Sequence, residues 1–362
     1  MLGVGIVGLP NVGKSTVFNA LTRAGAKVSN YPFCTIEPNL GVVLVPDDRL
    51  PRLAQVFGQE RVTPATVRFL DIAGLVRGAS RGEGLGNQFL SHIRPVDAVL
   101  HVVRCFDDAE VIHVEGRVDP VRDMEIVDLE LCLADLEIVS RHISQVAPKA
   151  RDHRSAEAAE LPALEALRDW LNAGRPVRSP DLPAAARAAL IESLPPLLTA
   201  KPTLYLANAG EEASVDAEEA FRRHLAARGE KGLVFHGRLE AELAELGEAD
   251  QAEIAQELGV DLGETAAVIR ASYELLGLVT FYTGVGDELR AWPVPRGTTA
   301  REAAGRVHSD MARGFIRAEV VAFAALDATG SWEELRRRGE IRLEGQDYVM
   351  AEGDVVRFRF QV

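Results

Sequence analysis

Gly8-Leu-Pro-Asn-Val-Gly13-Lys14-Ser15-Thr16 is the stretch that decides the fold. A short apolar run, Gly3-Val-Gly-Ile-Val7, precedes it, and Val17, Phe18, Ala20 and Leu21 follow at helical spacing. Strand, glycine loop and helix in that order are the context in which Gly-x-x-x-x-Gly-Lys-Ser binds phosphate. The glycines let backbone N–H groups turn inward, and the helix offers the anion its positive end. On this pattern Asn11, Val12, Gly13, Lys14, Ser15 and Thr16 hold the nucleotide phosphates. Lys14 reaches the β- and γ-phosphates as the catalytic cation, and Ser15 places its hydroxyl on Mg²⁺.

Working outward, further strands are predicted at Val67–Asp71, Ala98–Val103 and Thr203–Ala207, with helical segments between them. That alternation predicts an α/β domain with a largely parallel sheet. Asp71-Ile-Ala-Gly74 ends one of these strands, so Asp71 can meet the Mg²⁺ shell while the Gly74 N–H faces the γ-phosphate. Thr35, in the loop Asn30–Asn39, can complete that shell in the triphosphate state. The glycine-rich segment Gly74–Gly86 reads as a switch that orders around the γ-phosphate.

The base is read elsewhere. Switch GTPases recognise guanine with Asn-Lys-x-Asp after a strand, and here Asn208-Ala209-Gly210-Glu211 stands in that place. The lysine is missing and the carboxylate is one methylene longer. Asn208 can pair with adenine, so ATP or relaxed specificity is expected over strict GTP.

Residues 122–200 change character. Ile126, Leu129, Leu133, Leu136, Ser140, Ile143 and Ala147 repeat at 3,4 spacing, which predicts a coiled-coil seam. After a polar stretch, Leu161, Leu164, Leu167 and Leu171 resume helical spacing, as the returning arm of a projecting hairpin. From about residue 279, short alternating segments (Val279–Thr283, Ala318–Phe323, Asp347–Val349 and Asp354–Val362) predict a small α+β domain. The expected division is a nucleotide-binding domain over 1–121 with 199–278, an inserted helical domain over 122–198 and a C-terminal domain over 279–362.

Composition narrows the function classes. No apolar run approaches the ~20 residues of a membrane-spanning helix, and the N-terminus lacks signal-peptide order. The three cysteines, Cys34, Cys105 and Cys132, are too few and too scattered for a disulfide framework or a zinc site, so a reducing cytoplasm is expected. Lys and Arg balance Asp and Glu over residues 1–121, 12 against 12, whereas 201–278 carries 7 against 16. With a net charge of −14, nucleic acid is not bound through the global field. The basic run Arg336-Arg337-Arg338 reads as a solvated helix face, and Tyr282 and Trp292 as packing residues.

With these residues in place, the sequence resembles the YchF family, the Obg-like ATPases, over nearly its whole length. The resemblance rests on Gly8–Thr16, Asn30-Tyr-Pro-Phe-Cys-Thr-Ile-Glu-Pro-Asn39, Asp71–Val76, Gly82-Glu-Gly-Leu-Gly-Asn87, His101–Phe106 and Val111–Pro120, then Gly314–Glu319 and Leu343–Tyr348. It implies a G-domain-like P-loop NTPase with an inserted coiled-coil domain and a C-terminal β-grasp (TGS) domain. It further implies Mg²⁺-dependent ATP hydrolysis, with GTP often accepted, and ribosome association, with rRNA or tRNA met through the coiled-coil and TGS domains. Neither membrane nor DNA is an expected partner. Asn208–Glu211 matches the family's altered base-reading motif. Ala209 stands where a larger apolar residue often lies against the base. Val234–Glu242 (Val-Phe-His-Gly-Arg-Leu-Glu-Ala-Glu) departs from the family's usual Ser-Ala start at the base-side loop.

The water that attacks the γ-phosphate needs orienting. Ras-like enzymes carry a glutamine after Asp-x-x-Gly; here that residue is Leu75, which cannot hydrogen-bond. Slow intrinsic turnover follows, with His113 as the candidate to position water or move a proton. Asn11 resembles the K⁺ ligand of some related NTPases. The competing readings are a strict GTPase of the Obg kind and a non-hydrolysing nucleotide-gated adaptor.

Overall fold

The computed structural model describes residues 2–26, 39–72, 74, 85–108, 110–152, 155–190, 194–210, 215–244, 246, 250–251 and 263–361. Thr35, Leu75, Glu211, Cys34 and the switch segment 75–84 lie outside them. The chain divides into two compact units, Met1–Gly41 with Arg68–Val268, and Val42–Val67 with Ile269–Val362. The second unit therefore takes in residues 42–67, which the sequence pattern assigns to the nucleotide domain.

In chain order the first unit and the segment it encloses contain β1 (Gly3–Val7), α1 (Lys14–Ala26), β2 (Leu40–Leu44), α2 (Arg49–Phe57), β3 (Arg61–Thr63), β4 (Thr66–Asp71), α3 (Leu85–Ile93) and β5 (Ala98–Cys105). The inserted helices α4 (Pro120–Val146), α5 (Ala156–Asn172) and α6 (Ala184–Arg187) come next. Then follow β6 (Thr203–Ala209), α7 (Val215–Arg228), β7 (Gly232–Phe235), α8 (Gly237–Leu243) and α9 (Glu264–Leu275). The first sheet runs β2-β4-β1-β5-β6-β7. Parallel pairing joins β4, β1, β5, β6 and β7 as neighbours. β1 and β5 are buried along their whole length, as continuous apolar strands covered on both faces must be. None of the described helices is long and apolar enough to cross a membrane.

The inserted helices form the expected antiparallel pair with a core of their own, in which Cys132, Val139 and Val146 meet Leu164, Leu167 and Trp170. The seam is only partly where the 3,4 spacing predicts it: Ile126 is buried and Leu136 and Ile143 pack against this core, but other positions turn outward. Leu129 and Leu133 are 47% and 36% exposed, and Ser140 is exposed too. The buried stripe instead runs through Asp128, Cys132, Asp135 and Val139. Two aspartates enter a core position because each finds partners distant in sequence. Asp135 accepts N–H bonds from Leu198 and Thr199, both at 2.8 Å, and the Thr199 hydroxyl at 2.7 Å. Asp128 accepts Arg178 at 2.5 Å and Arg228 at 2.7 Å.

The second unit adds β8 (Leu278–Val285), β9 (Glu288–Pro295), α10 (Ala300–Val307), α11 (Ser309–Arg313), β10 (Phe315–Ala322), α12 (Phe323–Thr329), α13 (Trp332–Arg338), β11 (Arg342–Glu344) and β12 (Asp354–Phe360). Its sheet runs β11-β10-β12-β8-β9-β3, with β12 parallel to β8 and antiparallel to β10. Ala300 and Ala303 of α10 close the core against Val279, Phe281, Ala318 and Val356. The segment Asp347–Val349 makes a single bridge, Val349 to Thr299, rather than a strand. Trp292 stacks on Phe281 and bonds Thr283 at 2.9 Å, a packing residue as expected.

Candidate nucleotide site

The loop after β1 is a backbone construction. Gly8 has φ +152° and Gly13 φ +91°, conformations that glycine alone adopts without strain. A Cβ on Gly8 would sit 2.4 Å from the Val102 carbonyl oxygen, and one on Gly13 would sit 2.1 Å from Asn208 Nδ2. Asn11 takes the left-handed φ of +61° and donates its amide to the Ile112 carbonyl at 3.1 Å. Val17 N–H closes on the Gly13 carbonyl at 2.9 Å and starts α1 at Lys14. Thr16 lies in that first turn, half-buried.

Lys14 is 8% exposed, and its ammonium donates to the Leu9 carbonyl at 2.8 Å. Burial pulls its pKa down to about 8, with Asp71 working in the other direction. Ser15 Oγ donates to Asp71 Oδ2 at 2.9 Å, so the two oxygens expected to share one cation lie together. Gly74 brings its backbone against the loop: a Cβ there would lie 3.1 Å from Lys14 Nζ and from Pro10. Lys14, Ser15, Asp71 and Gly74 are thus brought together as expected.

The base side is built differently. Asn208 is 4% exposed and engaged at both ends. It donates Nδ2 to the Val12 carbonyl at 2.9 Å and accepts the Gly237 N–H on Oδ1 at 3.2 Å. The carboxamide thus braces two backbone groups, one in the phosphate loop and one in the turn after β7. Ala209 is buried at the end of β6, opposite Cys105.

His113 is turned inward. Glu115 N–H donates to Nδ1 at 3.1 Å, so the proton sits on Nε2, which lies 2.8 Å from Asp123 Oδ2. Both ring nitrogens are used and the residue is buried. In this arrangement the ring ties its own loop to Asp123 of α4. Its neighbours Ile112 and Val114 are exposed.

Two features escape a motif reading. Arg104 is fully buried, and among the described residues its guanidinium bonds the carbonyls of Phe106, Val111 and Asp108 at 3.0, 2.9 and 3.3 Å and so shapes the loop that touches Asn11. An arginine inside an apolar strand is the signal that could have found it. The second is the pair His236 and Glu264, joined at 2.9 Å beside Gly237.

Two family models match. A 50S ribosome-binding GTPase model covers residues 3–134, and a YchF GTPase C-terminal model, described as a protein of unknown function, covers residues 278–361. The chain is 45% identical to the ribosome-binding ATPase YchF of Bacillus subtilis over 366 residues, covering both proteins completely. It is also 45% identical to the protein of that name from Escherichia coli O157:H7, over 99% of each. Among solved structures, the Schizosaccharomyces pombe YchF GTPase superposes with TM-score 0.87 at 35% identity, covering 99% of this chain and 97% of that one.

Proposed function

The chain belongs to the YchF family, and from that premise we propose that it hydrolyses ATP to ADP and phosphate as a ribosome-associated switch. The observation that carries this reading is the convergence of Lys14, Ser15, Asp71 and Gly74 on one loop.

Each group has a task. Lys14 exchanges the Leu9 carbonyl for phosphate oxygens, and the N–H groups of residues 11–16 cradle the anion. Ser15 and Asp71, with Thr35, would hold Mg²⁺; their hard oxygen donors, already 2.9 Å apart for the first two, suit that ion. When bound, Mg²⁺ neutralises charge on the β- and γ-oxygens. The Gly74 N–H faces the γ-phosphate. Asn208 locks the loop to the base side, and Glu211, with Ala209 beside it, is the residue left to read the base. GTP is accepted more weakly.

Turnover is slow in isolation, because Leu75 cannot orient water. Water is positioned by His113 after it leaves Asp123, or with the help of K⁺ near Asn11 or of the ribosome. The family model's 50S description favours the large subunit, reached through the inserted coiled-coil domain (122–198) and the TGS domain (279–362), with rRNA or tRNA contact. The nucleotide domain is 1–121 with 199–278, and the compartment is the cytoplasm.

Competition titration with ATP and GTP in Mg²⁺ tests the base reading. At least about tenfold tighter ATP binding, ~1.4 kcal/mol, is expected; equal or tighter GTP binding returns the chain to the strict GTPases. In the same preparation Lys14→Ala should lower ATP turnover by about a hundredfold or more. His113→Ala with wild-type turnover, with and without ribosomes, removes His113 from the mechanism.

A further inference from the structure

A chain of hydrogen bonds runs from the first residue of α9 to the phosphate loop. Glu264 uses both carboxylate oxygens on one residue, accepting the His236 backbone N–H at 2.8 Å and its Nδ1–H at 2.9 Å. The next N–H, of Gly237, donates to Asn208 Oδ1, and Asn208 Nδ2 donates to the Val12 carbonyl. The turn between β7 and α8 is therefore fixed at the peptide just before the one that orients Asn208. Gly237 is required there for space, since a Cβ would sit 2.7 Å from Asn208 Oδ1.

We infer that Glu264 and His236 form a positioning pair for the base side of the nucleotide site, and that discrimination between purines depends on it. This rests on the ATP reading above. A bidentate carboxylate holding backbone and ring of one residue removes two freedoms at once, and the bonds to a charged acceptor are the strong kind. Without it the 235–237 turn loosens, Asn208 loses its fixed acceptor geometry, and the Val12 peptide shifts with it.

The imidazole faces Glu264 from α9, Glu240 from α8 and Glu218 from α7, and its hydrogen bond to Glu264 is the largest influence raising its pKa above the ordinary 6.5. Glu240 in turn accepts the Thr265 hydroxyl, and Glu218 is bonded to Arg222. The cationic form of His236 tightens the clamp. That contribution is complete below about pH 6.5 and is lost as pH rises through the raised value.

The experiment is competition titration of ATP and GTP against the full chain and its variants, from pH 6 to 9. His236→Ala is expected to weaken ATP about tenfold and to narrow the ATP-to-GTP ratio. His236→Asn, which keeps a donor where Nδ1 stands, should return most of that affinity and flatten the pH profile below about pH 8. Glu264→Ala should match His236→Ala. Lys14→Ala, by contrast, should weaken both nucleotides alike. If wild-type protein prefers ATP while His236→Ala and Glu264→Ala bind both nucleotides as it does, the inference falls and the ATP reading stands. If wild-type protein binds neither nucleotide, both fall. Should His236→Ala fail to fold, His236→Asn decides: a pH profile identical to wild type overturns the inference.

Discussion

Lys14 and Asp128 are both buried charges of the first unit, and their surroundings are opposite. Asp128 is met by two guanidinium groups, Arg178 and Arg228, which Glu230 and Tyr205 hold in turn. These cations hold its carboxyl below the ordinary carboxylate range in spite of burial. His101, its ring tilted against that of Tyr205, is kept neutral beside them, with burial lowering its pKa to about 4. Lys14, among the described residues, has one neutral carbonyl as its hydrogen-bond partner, and burial wins. A charge that serves the fold is compensated within the fold; a charge that serves a ligand is left short, and the ligand completes it.

The largest effect should come from unbalancing Asp128. Arg178→Ala leaves a buried carboxylate with one cation and is expected to cost about 3–5 kcal/mol of unfolding free energy. Urea denaturation measures it. A loss below about 1 kcal/mol would mean that Asp128 is not held by this pair, and the contrast with Lys14 would fail. Protein that remains folded should bind ATP as wild type does.

How much of this was legible follows from distance along the chain. The phosphate loop is local: nine residues carry the glycines, the lysine and the hydroxyl, and the strand–loop–helix context confirms them. Strands β1, β4, β5 and β6 are short β-branched and apolar-rich segments, legible to within two residues. The buried stripe of α4 was not, because Asp128 and Asp135 scan as surface residues until Arg178 and Thr199, 50 and 64 residues away, are brought to them. The base side fails for the same reason, since Asn208, Gly237 and Glu264 meet only in the fold. The pairing of β3 in the 42–67 segment has no local signal either, because its partner, β9, lies more than two hundred residues on.

A smaller effect sharpens the contrast through pH. The cationic form of Lys14 binds phosphate, so in His236→Asn, where no imidazole titrates at that position, ATP affinity should hold up to about pH 8, the value to which burial lowers the Lys14 pKa. Above it, affinity should fall by up to about tenfold per pH unit, until the bound nucleotide's own charge offsets the loss. Unfolding free energy of the nucleotide-free protein should move the other way. The unfolded chain keeps its proton up to 10.5, so this group makes stability rise with pH from about 8 toward 10.5. The stability slope should vanish in Lys14→Met.

That variant gives the smallest and most discriminating number. Methionine keeps the length of the side chain and removes a charge that the nucleotide-free protein does not compensate. The lost bond to the Leu9 carbonyl costs about 1 kcal/mol, while relief of a buried, weakly paired ammonium returns as much or more. Nucleotide-free Lys14→Met should therefore unfold within about 1 kcal/mol of wild type, on the stable side, in the same urea experiment that penalises Arg178→Ala. Saturating ATP, which stabilises wild type by mass action, should add nothing to the variant. A loss of more than about 2 kcal/mol without nucleotide would place Lys14 among the charges that hold the fold together, beside Asp128 rather than opposite it.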